Sequence, residues 1–191
     1  MEKQGILNDK RIVGSPTVHL ISMVIILFAF WLALSGKFTV KFLIYGVLTS
    51  VVTAWITYPL LLVYNKDNSR RYFVFGISVI KLIKYVFWLL WQLVLANIDV
   101  AKATTGQKLD IDPKVIRFYF KADNPMSSVV LANSITLTPG TVTINVTDDG
   151  LFEIHALTVG AAEGVLNGDM QRKVADLFGE KLEFTVVKGE E

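Results

Sequence analysis

No cysteine occurs among the 191 residues. Disulfides, thiolate metal sites, iron–sulfur ligation and a cysteine nucleophile are therefore excluded. Histidine is almost as scarce. His19 lies at the mouth of an apolar segment and His155 on the polar side of an alternating run, too far apart to suggest a ligand set. The chain also lacks a phosphate-binding glycine loop, a nucleophile elbow and an HExxH pair. Asp110 and Asp112 make a single D-x-D in a polar stretch, which reads as linker surface. These absences predict no catalytic residue, no metal site and no cofactor. Net charge is also small, with 19 Lys and Arg against 17 Asp and Glu. Its distribution is uneven: residues 1–104 carry about +7 and residues 105–191 about −5. The basic excess sits in the breaks between apolar runs, where anionic headgroups lie, and gives no sign of nucleic-acid binding.

What is abundant is apolar sequence, at 52% of residues, with a positive mean hydropathy of +0.48. Three apolar segments follow one another, over about 18–34, 42–64 and 73–98. The first, at about 17 residues, is at the lower limit for crossing a bilayer; the other two are long enough to cross with tilt. A cleavable signal is a poor reading of the first, because Leu34-Ser35-Gly36-Lys37 lacks a small-x-small site. The break Ser35–Lys41 is short enough to force an antiparallel hairpin. The expected organisation is an N-terminal extension (1–17), a transmembrane domain (18–104) and a soluble domain (105–191).

Charge gives two conflicting signals about sidedness. Lys66, Arg70 and Arg71 lie in the second break, and Lys102, Lys108, Lys114 and Arg117 follow the third segment. The positive-inside rule draws both groups to the cytoplasm, and three full spans put them on opposite sides. The soluble domain, free of cysteine, is expected in the cytoplasm. Trp31 and Trp55 are expected to pack inside their segments. Trp88 and Trp91 either pack a neighbouring subunit or face lipid.

Lys81 and Lys84, three residues apart, share a helix face. If the third segment crosses the bilayer from Phe73, Lys84 lies roughly 16 Å deep. A lysine there costs at least about 2.5 kcal/mol unless paired or hydrated. With no carboxylate nearby in the apolar half, its counter-ion is expected on another subunit or in a water-filled cavity. Lys81 has the further option of reaching the interface. Asn97, Asp99 and Lys102 close the segment, either as interfacial solvation or in ion handling.

Beyond residue 105 the period changes to two. Ile116, Phe118 and Phe120 alternate with Arg117, Tyr119 and Lys121; Val142, Ile144 and Val146 with Thr141, Thr143, Asn145 and Thr147; Phe152, Ile154 and Ala156 with Glu153 and His155; Leu182, Phe184 and Val186 with Lys181, Glu183 and Thr185. Each run predicts a strand with one wet and one buried face. Asp148-Asp149-Gly150 supplies a hairpin turn. A helix is predicted over 124–137, with Asn124 as N-cap and Pro125 at its first position. A second is predicted over 163–178, stopped by Gly179 and weakened at Gly168 by about 1 kcal/mol. The resulting β-α-β-β-α-β order predicts a ferredoxin-like α+β domain with two helices on one sheet face.

One run is specific. Leu131-Ala132-Asn133-Ser134-Ile135-Thr136-Leu137-Thr138-Pro139-Gly140-Thr141, with Ile154-His155-Ala156 downstream and Lys84 and Ala96-Asn97-Ile98 upstream, closely resembles the E subunit of Mrp-type (Mnh-type) multi-subunit Na+/H+ antiporters. The resemblance covers nearly the whole chain after about residue 17; the N-terminal extension and Lys81 depart from it. It implies an accessory subunit, needed for full activity, in a prokaryotic inner-membrane complex that exchanges cytoplasmic Na+ for external H+. Its partners would be the other subunits and the bilayer, with no small-molecule substrate of its own. Homologues in membrane-bound hydrogenases are the alternative setting, and a membrane-anchored binding module is the rival from another class. The residues singled out for contacts or transport are Lys84 and Asn97, which the resemblance also carries, and Asp99 beside them, with Asn133, Thr136, Thr138, Pro139, Gly140 and Thr141 as the motif. The motif has two readings: a rigid stop between helix and strand, or a docking point for a neighbouring subunit.

Overall fold

The computed structural model describes residues 9–105 and 111–187. Lys108 and Asp110 lie outside them. The chain divides into two compact units, Met1–Gly76 and Ile77–Glu191.

The first unit is a helical hairpin with a small two-stranded sheet. Helix α1 spans Pro16–Ser35. Pro16 suits its first turn, where the missing N–H has no partner to lose. Gly36 ends it at φ +59°, its N–H bonded to the carbonyl of Leu32. Helix α2 spans Val40–Thr57 and continues as a 3-10 turn over Tyr58–Leu61. Gly46, Ser50 and Ala54, spaced by four, are its buried residues. Small side chains at this spacing let two backbones approach closely. At Gly46 an added Cβ would lie 2.5 Å from Trp31 Cδ1, so the indole occupies the space a side chain would take. Trp31 thus packs as expected, whereas Trp55 is 59% exposed.

The second helix ends, and the third begins, a few residues inside the expected bounds of about 64 and 73. Strand β1 (Leu62–Tyr64) pairs antiparallel with β2 (Arg71–Phe73). Helix α2 therefore ends before residue 64, and helix α3 (Val79–Thr105) starts after residue 73. Two local signals account for this. Pro59 cannot donate into a helix. Asn65 folds the connection, its side-chain oxygen accepting the N–H groups of Ser69 at 3.0 Å and Arg70 at 3.1 Å. Asp9 bridges Arg11 at 2.9 Å and Arg71 at 3.3 Å. The hydrogen bond from Arg11 holds the Asp9 carboxyl down at about 2. Three helical segments, Pro16–Ser35, Val40–Leu61 and Val79–Thr105, are long and apolar enough to cross a membrane.

The second unit contains α3 and the predicted α+β domain. Strands β3 (Lys114–Lys121), β4 (Thr141–Val146), β5 (Leu151–Ala156) and β6 (Glu183–Val186) form one sheet in the order β4-β5-β3-β6. Every pairing is antiparallel. This is the ferredoxin-like order. Its core is aromatic at the centre: Phe118 and Phe152 face each other across β3 and β5, their rings stacked at 5.0 Å. Helix α4 (Pro125–Leu137) has the expected cap, with Asn124 Oδ1 accepting the Met126 N–H at 3.1 Å. Glu180 adds a carboxylate there, accepting from Asn124 N and Ser127 Oγ, both at 2.7 Å. Negative charge at a helix N-terminus complements its dipole.

Three expectations are corrected. The helix expected over 163–178 is two helices, α5 (Val159–Leu166) and α6 (Asp169–Phe178). Gly168, at φ +78°, breaks the helix instead of merely weakening it. Val142 and Ile144 are not core: both are exposed, and Thr141 is buried in their place. A bulge between Thr143 and Asn145 shifts the phase of β4, so only Val146 packs against the core. Leu182 and Val186 are also exposed, leaving Phe184 as the packing residue of the last strand.

Candidate functional site

Helix α3 carries two different faces. Lys81, Tyr85, Trp88, Gln92, Ala96 and Val100 recur every three or four residues, a single helical stripe. This stripe faces the domain. Tyr85 is only 6% exposed and joins the domain core. Its hydroxyl pairs with Ser134 Oγ on α4 at 2.7 Å. Lys81 Nζ donates to the Asp176 carbonyl at 2.6 Å and lies 3.4 Å from the same residue's carboxylate. Lys173 Nζ stands 5.9 Å from the Trp88 ring centre. At the other end, Val100 meets Gly140: a Cβ there would lie 3.3 Å from Val100 Cγ2.

Between these two attachments lies a crevice of about 290 Å³. Trp88, Gln92 and Asp99 line it from α3, and Thr138, Pro139 and Asp169 from the domain. Its walls are largely apolar, with threonine hydroxyls, carboxylates and amides as its polar groups. Among the described residues no group of three His, Asp or Glu stands close enough to hold a metal ion.

Each residue singled out from the sequence has a definite place. Thr138, Pro139 and Thr141 line the crevice together with Asp99. Gly140 adopts φ +89°, closed to most side chains. Thr138 Oγ1 donates to the Ser134 carbonyl at 2.9 Å, and Thr141 Oγ1 to the Ile135 carbonyl at 2.7 Å. Those two hydroxyls satisfy carbonyls at the end of α4. Thr136 Oγ1 donates to Ala132 O and accepts the Thr143 N–H at 3.1 Å, while Thr143 Oγ1 donates back to Ala132 O at 2.9 Å. Asn133 Nδ2 donates to Val129 O at 2.9 Å on the exposed side of α4. The motif's polar groups are thus used locally, as the rigid-stop reading requires. Asn97 is exposed and donates to Leu93 O at 2.7 Å; Asp99 lies 4.0 Å from Lys102. Lys84 is exposed and makes no ion pair among the described residues.

Lys81 is the correction here. It was expected to reach the interface or to need a partner from elsewhere, yet its carboxylate comes from α6 of its own domain. Tyr85 and Ser134 were not anticipated. Their only sequence signal is that Lys81, Tyr85 and Gln92, the more polar residues of an apolar helix, fall on one side. Trp88 likewise packs its own domain, whereas Trp91 is exposed. On the uncovered face of the sheet, Arg117 and Glu153 pair directly across the strands at 2.8 Å, and this bond lowers the Glu153 carboxyl below its usual range.

The Tyr85–Ser134 pair makes a sharp prediction. Ser134→Ala strands a buried phenol and should destabilise the unit by about 1–3 kcal/mol, whereas Tyr85→Phe with Ser134→Ala should be close to neutral. Thermal unfolding of the single and double variants checks it. A double variant worse than Ser134→Ala alone would contradict the pairing.

The profile of a family described as "Na+/H+ ion antiporter subunit" matches residues 24–177. The Na(+)/H(+) antiporter subunit E1 of Staphylococcus saprophyticus is 32% identical over 140 residues, covering 73% of this chain and 82% of its own. The protein of the same name from Staphylococcus aureus strain JH9 is 29% identical over 139 residues, covering 72% and 82%. Among solved structures, a chain of the membrane-bound sulfane sulfur reductase, an archaeal respiratory membrane complex, superposes with a TM-score of 0.64 at 28% identity. The match covers 84% of this chain and 99% of that one.

Proposed function

This chain belongs to the family of Na+/H+ ion antiporter subunits, and from that premise we propose that it is the small accessory E subunit of a multi-subunit monovalent cation/proton antiporter. The observation that carries this reading is the family match across residues 24–177, which spans the apolar helices and most of the α+β domain. The chain is a membrane protein, its partners are the other antiporter subunits, and its domain lies on the cytoplasmic side. It catalyses no reaction of its own. Its contribution is to hold the assembly in an active form, with Lys84, Asn97 and Asp99 as contacts to neighbouring subunits. Their exposure supports this, as does the lack of an ion-pair partner for Lys84 among the described residues. A counter-ion for Lys84 then comes from outside the chain.

A second setting is favoured by the archaeal respiratory complex, one chain of which matches this fold at 28% identity. In that setting the same subunit would serve a cation module attached to a redox enzyme. Purification of the intact assembly separates the two: antiporter subunits alone support the first, and redox subunits in stoichiometric amount support the second.

The function is tested in inverted membrane vesicles by the collapse of a proton gradient on adding Na+. Complex lacking this chain should lose most of that response and regain it on re-expression. Lys84→Met should lower it while the complex still assembles. Undiminished antiport without the chain would refute the assignment, and undiminished antiport with Lys84→Met would remove Lys84 from the contact set.

A further inference from the structure

We infer that α3, although long and apolar enough to cross a bilayer, does not cross it: it lies in the membrane surface as the lipid-facing side of the α+β domain, with both of its ends on the same side. The inference concerns the second unit alone and does not depend on which complex the chain joins.

The argument begins with the two attachments of α3. Near its start, Lys81 is bonded to Asp176 and Tyr85 to Ser134. Near its end, Val100 packs onto Gly140. From Lys81 to Val100 the helix rises roughly 29 Å, about the thickness of the hydrocarbon layer. Both attachments are to one folded domain. If α3 crossed the bilayer, the domain would have to cross beside it. That domain carries Arg117, Lys121, Glu153 and His155 on the uncovered face of an open four-stranded sheet. Only helices and closed barrels satisfy their backbone groups in hydrocarbon, so an open sheet is barred from it. A helix fixed at both ends to a domain in water runs along the membrane surface.

The opposite side of α3 has the composition such a position needs. Ile80, Ile83, Phe87, Leu90, Val94 and Ile98 are all exposed, and no charge interrupts them. Lys84 and Lys102 are eighteen residues apart, five full turns at about 3.6 residues per turn, so they share one edge of the helix. An apolar face with lysines along its edge is the pattern of a helix seated at the headgroup boundary, where anionic lipids attract the cations. Lys84 stands at the rim of this face and not within it, so a subunit beside the helix can still meet Lys84 while the apolar face itself meets lipid.

This arrangement also removes the sidedness conflict. With α3 not crossing, the basic stretch Lys66–Arg71 before it and Lys114–Arg117 after it fall on the same side, as the positive-inside rule demands of both.

Because the chain has no cysteine, single-cysteine variants report cleanly. Ser78→Cys stands just before α3, Thr105→Cys is its last residue, and Asp148→Cys marks the domain; all three positions are exposed. In the assembled complex, a membrane-impermeant maleimide should label all three in inverted vesicles and none in intact cells. Ser78→Cys reacting on the side opposite to Thr105→Cys would overturn the inference. A second measurement addresses what covers the apolar face. A fluorophore on Val94→Cys should be quenched about twofold more by nitroxides near the headgroup than by nitroxides at the chain ends, because such a helix sinks only about 5–10 Å. The same fluorophore on Ile25→Cys in α1 should show the reverse order. Stronger quenching at the chain ends for Val94→Cys would mean a true crossing. No quenching at Val94→Cys would mean a protein partner on that face, and would overturn the lipid assignment.

Discussion

Phe118→Ala is expected to cost about 3–5 kcal/mol, the usual range for removing a fully buried aromatic ring. Phe118 has no exposed surface and sits on β3, which is flanked by paired strands on both sides. It stacks on Phe152 at 5.0 Å and tilts against Phe184 at 5.4 Å, so no neighbour can collapse into the gap without moving a strand. A domain of this size has roughly 4–12 kcal/mol in total. The variant should therefore melt at least about 12 °C lower, since 1 kcal/mol corresponds to about 4–8 °C here. Phe184→Ala, on the short edge strand and only partly buried, should cost clearly less. Thermal scans of the two variants, read with protease cleavage of the domain in membranes, provide the test. Equal shifts would mean that the sheet centre is not the stabilising core.

Gly140→Val should have the largest effect outside the core, for two additive reasons. The backbone at Gly140 has φ +89°, where a β-branched residue is strained by about 1–3 kcal/mol. Its Cβ would also stand 3.3 Å from Val100 Cγ2 and 3.5 Å from Ala161 Cβ, and the methyls beyond it would overlap both. Relief requires α3 to lift away from the domain at that end. Hydrogen exchange should then rise sharply over residues 96–104, and Na+-driven antiport should fall with it. Gly164→Ala is the matched control. Nothing stands within 4 Å of its added Cβ, and a helical glycine gains roughly 0.5–1 kcal/mol on becoming alanine. Unchanged protection of α3 in Gly140→Val would show that this contact does not hold the helix.

The ferredoxin-like order was readable from the sequence because hydrophobic alternation is direct evidence of a half-buried strand, and Ile116, Phe118 and Phe120 keep their phase throughout β3. It misled in β4, where the bulge inserts one residue and transfers Val142 and Ile144 to the outer face. No residue type announces a bulge of this kind. Gly168 was read as a weak point in a helix, since composition alone does not distinguish a tolerated glycine from one at positive φ. The polar residues of helix α3 mark its domain-facing side only sparsely, and the attachments at Lys81, Tyr85 and Val100 depend on partners some 40 to 95 residues away. The motif fared differently. Its residue types pointed correctly to a helix stop, but the carbonyls that each threonine would satisfy became identifiable only in three dimensions.

The hydroxyl exchange between Thr136 and Thr143 has a consequence for how the domain behaves in company. β4 is an outer strand, and the N–H of Thr143 is already taken by a side chain from α4. With the adjacent bulge, this spoils the row of free backbone groups on which a foreign strand would template. Growth of the sheet from that margin is thereby discouraged, so copies crowded on one membrane are guarded against sticking together through it.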